Sequence, residues 1–203
     1  NIRTAWTNTL TRPNYSDIIP LQEYLGTASA VDWRNQDLEP GESENKDFSI
    51  SLNQDRIGFI SFGYFTKNIK NLIFSSGRLY IADPSEFGLP DNVEKWQILN
   101  YTDNNSYEVL LSGFELDYQT RFWYLPGILN GLVLNANYTL IKSDVKYPRN
   151  ILDQFFDWDA TPPGVITTVI DTFYLDRLID QPKEIINISV GYDYKGFSGR
   201  LSM

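Results

Sequence analysis

What most constrains this chain is the spacing of its connections. Seven stretches alternate apolar and polar residues at a period of two, as strands do when successive side chains point to opposite faces: residues 2–10, 47–53, 57–67, 108–122, 132–144, 184–194 and 197–203. The connections between them run to about 36, 3, 40, 9, 39 and 2 residues, long and short in strict alternation. In a compact soluble domain a structureless loop beyond about 12–15 residues is uncommon, so three of them count against such a domain. A transmembrane β-barrel has short periplasmic turns at one rim and long extracellular loops at the other. The spacing therefore predicts an all-β, antiparallel transmembrane barrel.

The stretch VLLSGFELDYQTRF, residues 109–122, shows what each face would meet. Phe114, Leu116, Tyr118, Thr120 and Phe122 share one parity, and Glu115, Asp117, Gln119 and Arg121 share the other. Taken alone, the strand fits a soluble sheet as well as a barrel. With the connections considered, the apolar parity is expected to face lipid and the four charged and polar residues the lumen. Aromatics are plentiful, at 13 Tyr, 12 Phe and 5 Trp in 203 residues. Tyr118, Phe122, Trp123, Tyr124, Tyr138, Tyr192 and Tyr194 are expected to form a girdle at the membrane interface. No run of about 18 apolar residues occurs, which argues against a transmembrane helix and leaves transmembrane strands open. Seven strands do not close a bacterial single-chain barrel, whose strand number is even. The chain opens at Asn1 and its single Met is Met203, so an internal slice of a larger barrel is expected.

Histidine and cysteine are both absent, which removes the usual general base, the Ser/His/Asp and Cys/His arrangements, thiol chemistry and the commonest metal ligand. Asp157 and Asp159 could be read as a glycosidase acid and base, but two Asp two residues apart arise easily by chance in an Asp-rich chain. Asp153, Asp157 and Asp159 lack the spacing of a calcium-binding EF-hand loop. No catalytic residue, metal site or cofactor is expected. A formal net charge of −9 argues against a nucleic-acid partner, because phosphate binding needs clustered Lys and Arg.

Several stretches, in order along most of the chain, resemble TonB-dependent outer-membrane receptors: TNTLTRPNYSDIIP (7–20), RNQDLEPGESENKDFSISL (34–52), ISFGYFTKNIKNLI (60–73), GFELDYQTRFWYLPGILNGLVLNANYTL (113–140) and PKEIINISVGYDYKGFSGRLS (182–202). In the second, Arg34 and Gln36 stand where the family usually carries Gly and Pro. The resemblance implies a 22-stranded barrel in the bacterial outer membrane, enclosing a plug domain and driven through TonB. This chain would supply about seven strands of that single barrel domain, with the plug and the remaining strands outside it. It further implies active uptake of a scarce solute, such as a siderophore, haem, vitamin B12 or an oligosaccharide, without an enzymatic step.

Candidate ligand contacts fall in the long connections. The segment DQFFDWDATPP, residues 153–163, concentrates Phe155, Phe156 and Trp158 among carboxylates, and Trp33 and Trp96 stand in the other two. Exposed aromatics stack on sugars and planar ligands, and they also pack against neighbouring loops. A surface lipoprotein lid over these loops is left open as a partner. Two rival readings remain at this point: a passive porin-like or autotransporter barrel without a plug, and a soluble β-sandwich or jelly-roll carbohydrate-binding module.

Overall fold

The computed structural model describes residues 1–19, 22–25, 30–75, 79–83, 85 and 98–203; Trp96 lies outside them, and the side chain of Trp33 is not described. Seven strands form an antiparallel meander in which each pairs with the next: β1 (Ile2–Thr11), β4 (Gly41–Gln54), β5 (Gly58–Lys70), β9 (Val109–Arg121), β10 (Leu132–Asp157), β12 (Glu184–Tyr194) and β13 (Phe197–Ser202). All seven expected strands are present. Their order places the 55–57, 122–131 and 195–196 turns at one rim and the three long connections at the other.

Register carries the amphipathic pattern across the whole sheet. Ile2 pairs with Ile50, Ile50 with Phe62, Phe62 with Leu116, Leu116 with Tyr138 and Tyr138 with Ile186. One step toward the short-turn rim, Leu52, Ile60, Tyr118, Ala136 and Ile188 form the same kind of row. The intervening row on the opposite face reads Ser51, Ser61, Asp117, Asn137, Asn187. A one-residue slip anywhere would put polar groups into the apolar belt, so the belt itself fixes the register. Phe48, Ile50, Phe62, Phe114, Leu116, Ile186 and Val190 are all exposed. This is the reverse of a soluble sandwich, in which the apolar faces pack on one another.

The short turns follow local backbone chemistry. Lys195 and Gly196 both have positive φ, 49° and 86°, as a two-residue hairpin turn matched to strand twist requires. Gly58 closes the 55–57 turn at φ 88°, where a Cβ would lie 2.2 Å from the Gln119 carbonyl oxygen. Only glycine fits there.

The long connections are not structureless, and here the sequence expectation is corrected. Among the described residues they supply a second sheet of five strands: β2 (Gln22–Leu25), β3 (Ala30–Trp33), β6 (Ile73–Ser75), β7 (Leu79–Tyr80) and β8 (Ile98–Asn104). The third connection contains β11 (Gly164–Asp176), which pairs with residues 145–157 of β10. β10 is thus 26 residues long. Crossing a membrane takes about 9–11 residues, so its second half continues past the belt as a hairpin arm. At about 3.3 Å per residue that arm reaches roughly 40 Å. Phe155 and Phe156, expected in a loop, lie in β10 opposite Ile166 and Val165, and Trp33 ends β3.

Candidate functional site

Two surfaces of the fold can meet a solute. The first is the polar face of the sheet. Glu115 stands between Gly63 and Thr139, Asp117 between Ser61 and Asn137, Gln119 between Phe59 and Asn135, and Arg121 opposite Val133. Strand alternation brings all four to one strip, as their spacing implied. Gln119 Nε2 donates to Asp117 Oδ1 at 3.2 Å. Farther along the same face Arg200 grips Asp193 with its two terminal guanidinium nitrogens, at 2.8 and 2.7 Å, and Ser198 Oγ donates to the same carboxylate at 2.6 Å.

The aromatics gather unevenly. Phe122, Trp123 and Tyr124 cluster at the short-turn rim, with Trp123 and Tyr124 edge to face at 6.0 Å and Trp123 Nε1 donating to the Asp55 carbonyl at 2.8 Å. Tyr192 stacks obliquely on Tyr194 at 6.1 Å near the 195–196 turn. Tyr118 and Tyr138 instead lie inside the belt, between apolar pairs on both sides.

The second surface stands at the rim of the long connections. There Phe74, Val109, Val145 and Tyr147 form a buried cluster, with Ile69, Leu72 and Leu178 packed against it. Tyr147 is its keystone: the hydroxyl donates to the Arg177 carbonyl at 3.2 Å and accepts from the Ile179 amide at 3.0 Å. Burial pushes the phenol above its ordinary pKa. The buried Asn105 donates to the Lys146 carbonyl at 2.8 Å and accepts from the Tyr107 amide at 2.9 Å, tying the start of β9 to β10. Ser143 Oγ accepts from the Leu178 amide at 2.9 Å and donates to Gln181. At the base of this rim Asn68 and Lys70 both bind Glu108, which holds its carboxyl below the usual range.

Between this cluster and the hairpin arm lies a cleft of about 580 Å³ lined by Phe74, Tyr107, Arg149, Asn150, Asp171 and Phe173. Asn150 exchanges two hydrogen bonds with the backbone of Tyr80, at 2.8 and 3.0 Å, and so anchors the arm to β7. Lys146 Nζ sits 5.4 Å from the Tyr107 ring and 5.1 Å from the Phe173 ring, and Arg149 lies 5.6 Å from the Tyr174 ring. A cation over a ring face is attracted by the ring's quadrupole. None of these cleft residues was singled out in the sequence. Lys146, Tyr147, Arg149 and Asn150 stand together in KYPRN (146–150), but their partners are at positions 74–107 and 171–179.

The aromatics that were singled out occupy the far end of the arm. Phe156 and Trp158 pack at 4.3 Å, and Trp158 is 78% exposed. Asp157 Oδ1 accepts from the Asp159 and Ala160 amides, so its carboxylate shapes the turn. That is a structural use of the pair considered above for catalysis.

A model of the family described as "TonB dependent receptor-like, beta-barrel" matches residues 1–202. A comparison with curated proteins finds no match. Among solved structures, the siderophore receptor PirA from Pseudomonas aeruginosa aligns at 17% identity and a TM-score of 0.52, over 99% of this chain and 35% of its own. PirA from Acinetobacter baumannii aligns at 15% identity and a TM-score of 0.47, over 99% of this chain and 34% of its own. The chain thus spans about a third of the length of the structures it matches.

Proposed function

Because the chain belongs to the family of TonB-dependent-receptor-like β-barrels of the outer membrane, we propose that it forms part of the wall and mouth of a receptor that actively imports a scarce solute. Residues 1–203 belong to a single barrel domain whose other strands and plug lie outside this sequence. The observation that carries the reading is the cross-strand register: one continuous apolar belt, and an opposite face on which polar residues predominate. The belt faces lipid, and Glu115, Asp117, Gln119 and Arg121 face the lumen and the plug. The partners are the lipid bilayer, the plug, TonB acting through the plug, and a small-molecule solute. The role is transport, with no catalytic step.

For the solute we favour an anionic metal chelate of the siderophore class over an oligosaccharide. Arg149, which lines the cleft of about 580 Å³ together with Asp103 and Asp171, and Lys146, held over the cleft rings Tyr107 and Phe173 from the other face of β10, support this choice. In the full-length receptor, replacing both by alanine should weaken chelate binding by about tenfold to a hundredfold, the range for lost charge-assisted hydrogen bonds. Titration by tryptophan fluorescence would measure it, and unchanged affinity would remove the cleft from the pathway. Deleting residues 153–160 should also lower solute affinity while leaving the barrel folded, as judged by mobility of unheated samples on a gel. Full affinity after that deletion would confine the arm's tip to a structural role. A passive porin-like channel remains the second reading, favoured only if the complete gene lacks a plug.

A further inference from the structure

The hairpin arm carries an edge strand that lacks the usual protections. Among the described residues β11 pairs with β10 alone, through 13 consecutive residues without a bulge. In an antiparallel pair the N–H and C=O groups of every second residue point away from the partner, so roughly half of those in β11 face the open side. Exposed edges are ordinarily blunted by Lys, Pro, a bulge or short length. Residues 164–176 contain no Lys and no Pro, and their two charges, Asp171 and Asp176, lie toward the belt end. VITTVI (165–170) is an unbroken run of β-branched and threonine side chains, the composition that adds strands most readily. None of the residues of β11 is buried. The arm's other edge differs: it is interrupted by Pro148 and anchored at Asn150 to Tyr80.

Charge selects the occupant of that edge. Residues 150–176 include Asp153, Asp157, Asp159, Asp171 and Asp176 and neither Lys nor Arg. We propose that β11 takes up an extended, cationic segment of another protein as an added strand, with main-chain hydrogen bonds along the open edge and basic side chains over the arm's carboxylates. Asp171 stands one strand spacing, about 4.8 Å, from such a strand, and Asp153, on β10, stands two away. Both are exposed and within reach of long basic side chains. Val165, Ile166 and Ile170, exposed along β11, receive the segment's apolar residues. A second copy of this chain is the poorer occupant. Two receptors in one membrane hold their arms in the same direction, so β11 meets its copy in parallel, with Asp171 beside Asp171 and Asp176 beside Asp176. Like charges so placed repel. The proposal does not depend on which solute is imported.

The test uses the full-length receptor in phosphatidylcholine nanodiscs and a peptide that alternates lysine with valine over about nine residues, a strand's length. Two further peptides carry glutamate in place of lysine, or N-methyl groups on every amide. In the receptor alone, alternate amides of residues 164–176 should exchange hydrogen fast. Saturating lysine peptide should slow those same amides by about tenfold or more, and neither of the other peptides should. The D153N/D171N double variant should bind the lysine peptide about three- to tenfold more weakly, the effect of two exposed ion pairs. Slow exchange of every β11 amide in the receptor alone would mean that its own chain covers the edge, and would overturn the proposal. So would no protection by the lysine peptide, equal protection by the glutamate or N-methylated peptide, or unchanged affinity in the double variant.

Discussion

Replacing Leu116 by arginine is expected to destabilise the full-length receptor in a bilayer by about 2–4 kcal/mol, the cost of a guanidinium on the lipid face near the midplane of a barrel. Leu116 sits in the middle of the belt, with Phe62 and Tyr138 across from it and Phe114 and Tyr118 on either side along its own strand parity. An arginine there has no polar partner within its row. The neighbouring change Asp117→Arg puts the same side chain on the polar face, between Ser61 and Asn137, and should shift stability by no more than about 0.5 kcal/mol. Urea titration of folding into phospholipid vesicles compares the two. Equal effects would mean that the faces are not distinguished by lipid and water.

The second large effect is expected at Tyr147. Truncation to alanine removes a fully buried ring from the cluster of Phe74, Val109 and Val145, and it strips the Ile179 amide and the Arg177 carbonyl of their shared partner. Buried aromatic-to-alanine changes cost about 3–5 kcal/mol. Tyr147→Phe keeps the ring and loses only the two hydrogen bonds, so a smaller cost of about 1–3 kcal/mol is expected. The damage should be local. Hydrogen exchange should rise in residues 72–75 and 177–181, while the belt strands stay protected. Uniform loss of protection through β4, β5 and β9 would show that rim and wall unfold as one unit.

These two residues also mark how far the sequence could be read. The belt was legible because lipid imposes one rule on every strand that crosses it, and seven strands repeat that rule at a period of two. Beyond the belt the rule lapses. Residues 41–46, GESENK, are polar on both parities, so nothing in their pattern announces that β4 begins at Gly41 and not at 47. The outer half of β10 was hidden by Pro148 and by charges on both faces, although Ile151, Asp153 and Phe155 pair with Ile170, Thr168 and Ile166 as in any hairpin.

The cleft was the least legible part. It depends on Asn150 meeting Tyr80, which is 70 residues away in sequence, and on Lys146 reaching the ring of Tyr107. Neither contact leaves a local periodicity. The aromatic run at 155–158 was visible as a cluster, but its position at the tip of an arm follows from the length of β10, which only pairing with β11 reveals.

The central claim is that the two parities of β9 meet lipid and water. These 203 residues contain no cysteine; with any cysteine elsewhere in the full-length receptor replaced, single cysteines can be placed at each position from 112 to 121, spin-labelled in vesicles, and scored for collision with oxygen and with a water-soluble nickel complex. The account predicts a two-residue alternation: labels at 114, 116 and 118 favour oxygen, and labels at 115, 117 and 119 favour nickel or the contact of a plug. A profile without that alternation, or with the parities exchanged, would contradict it.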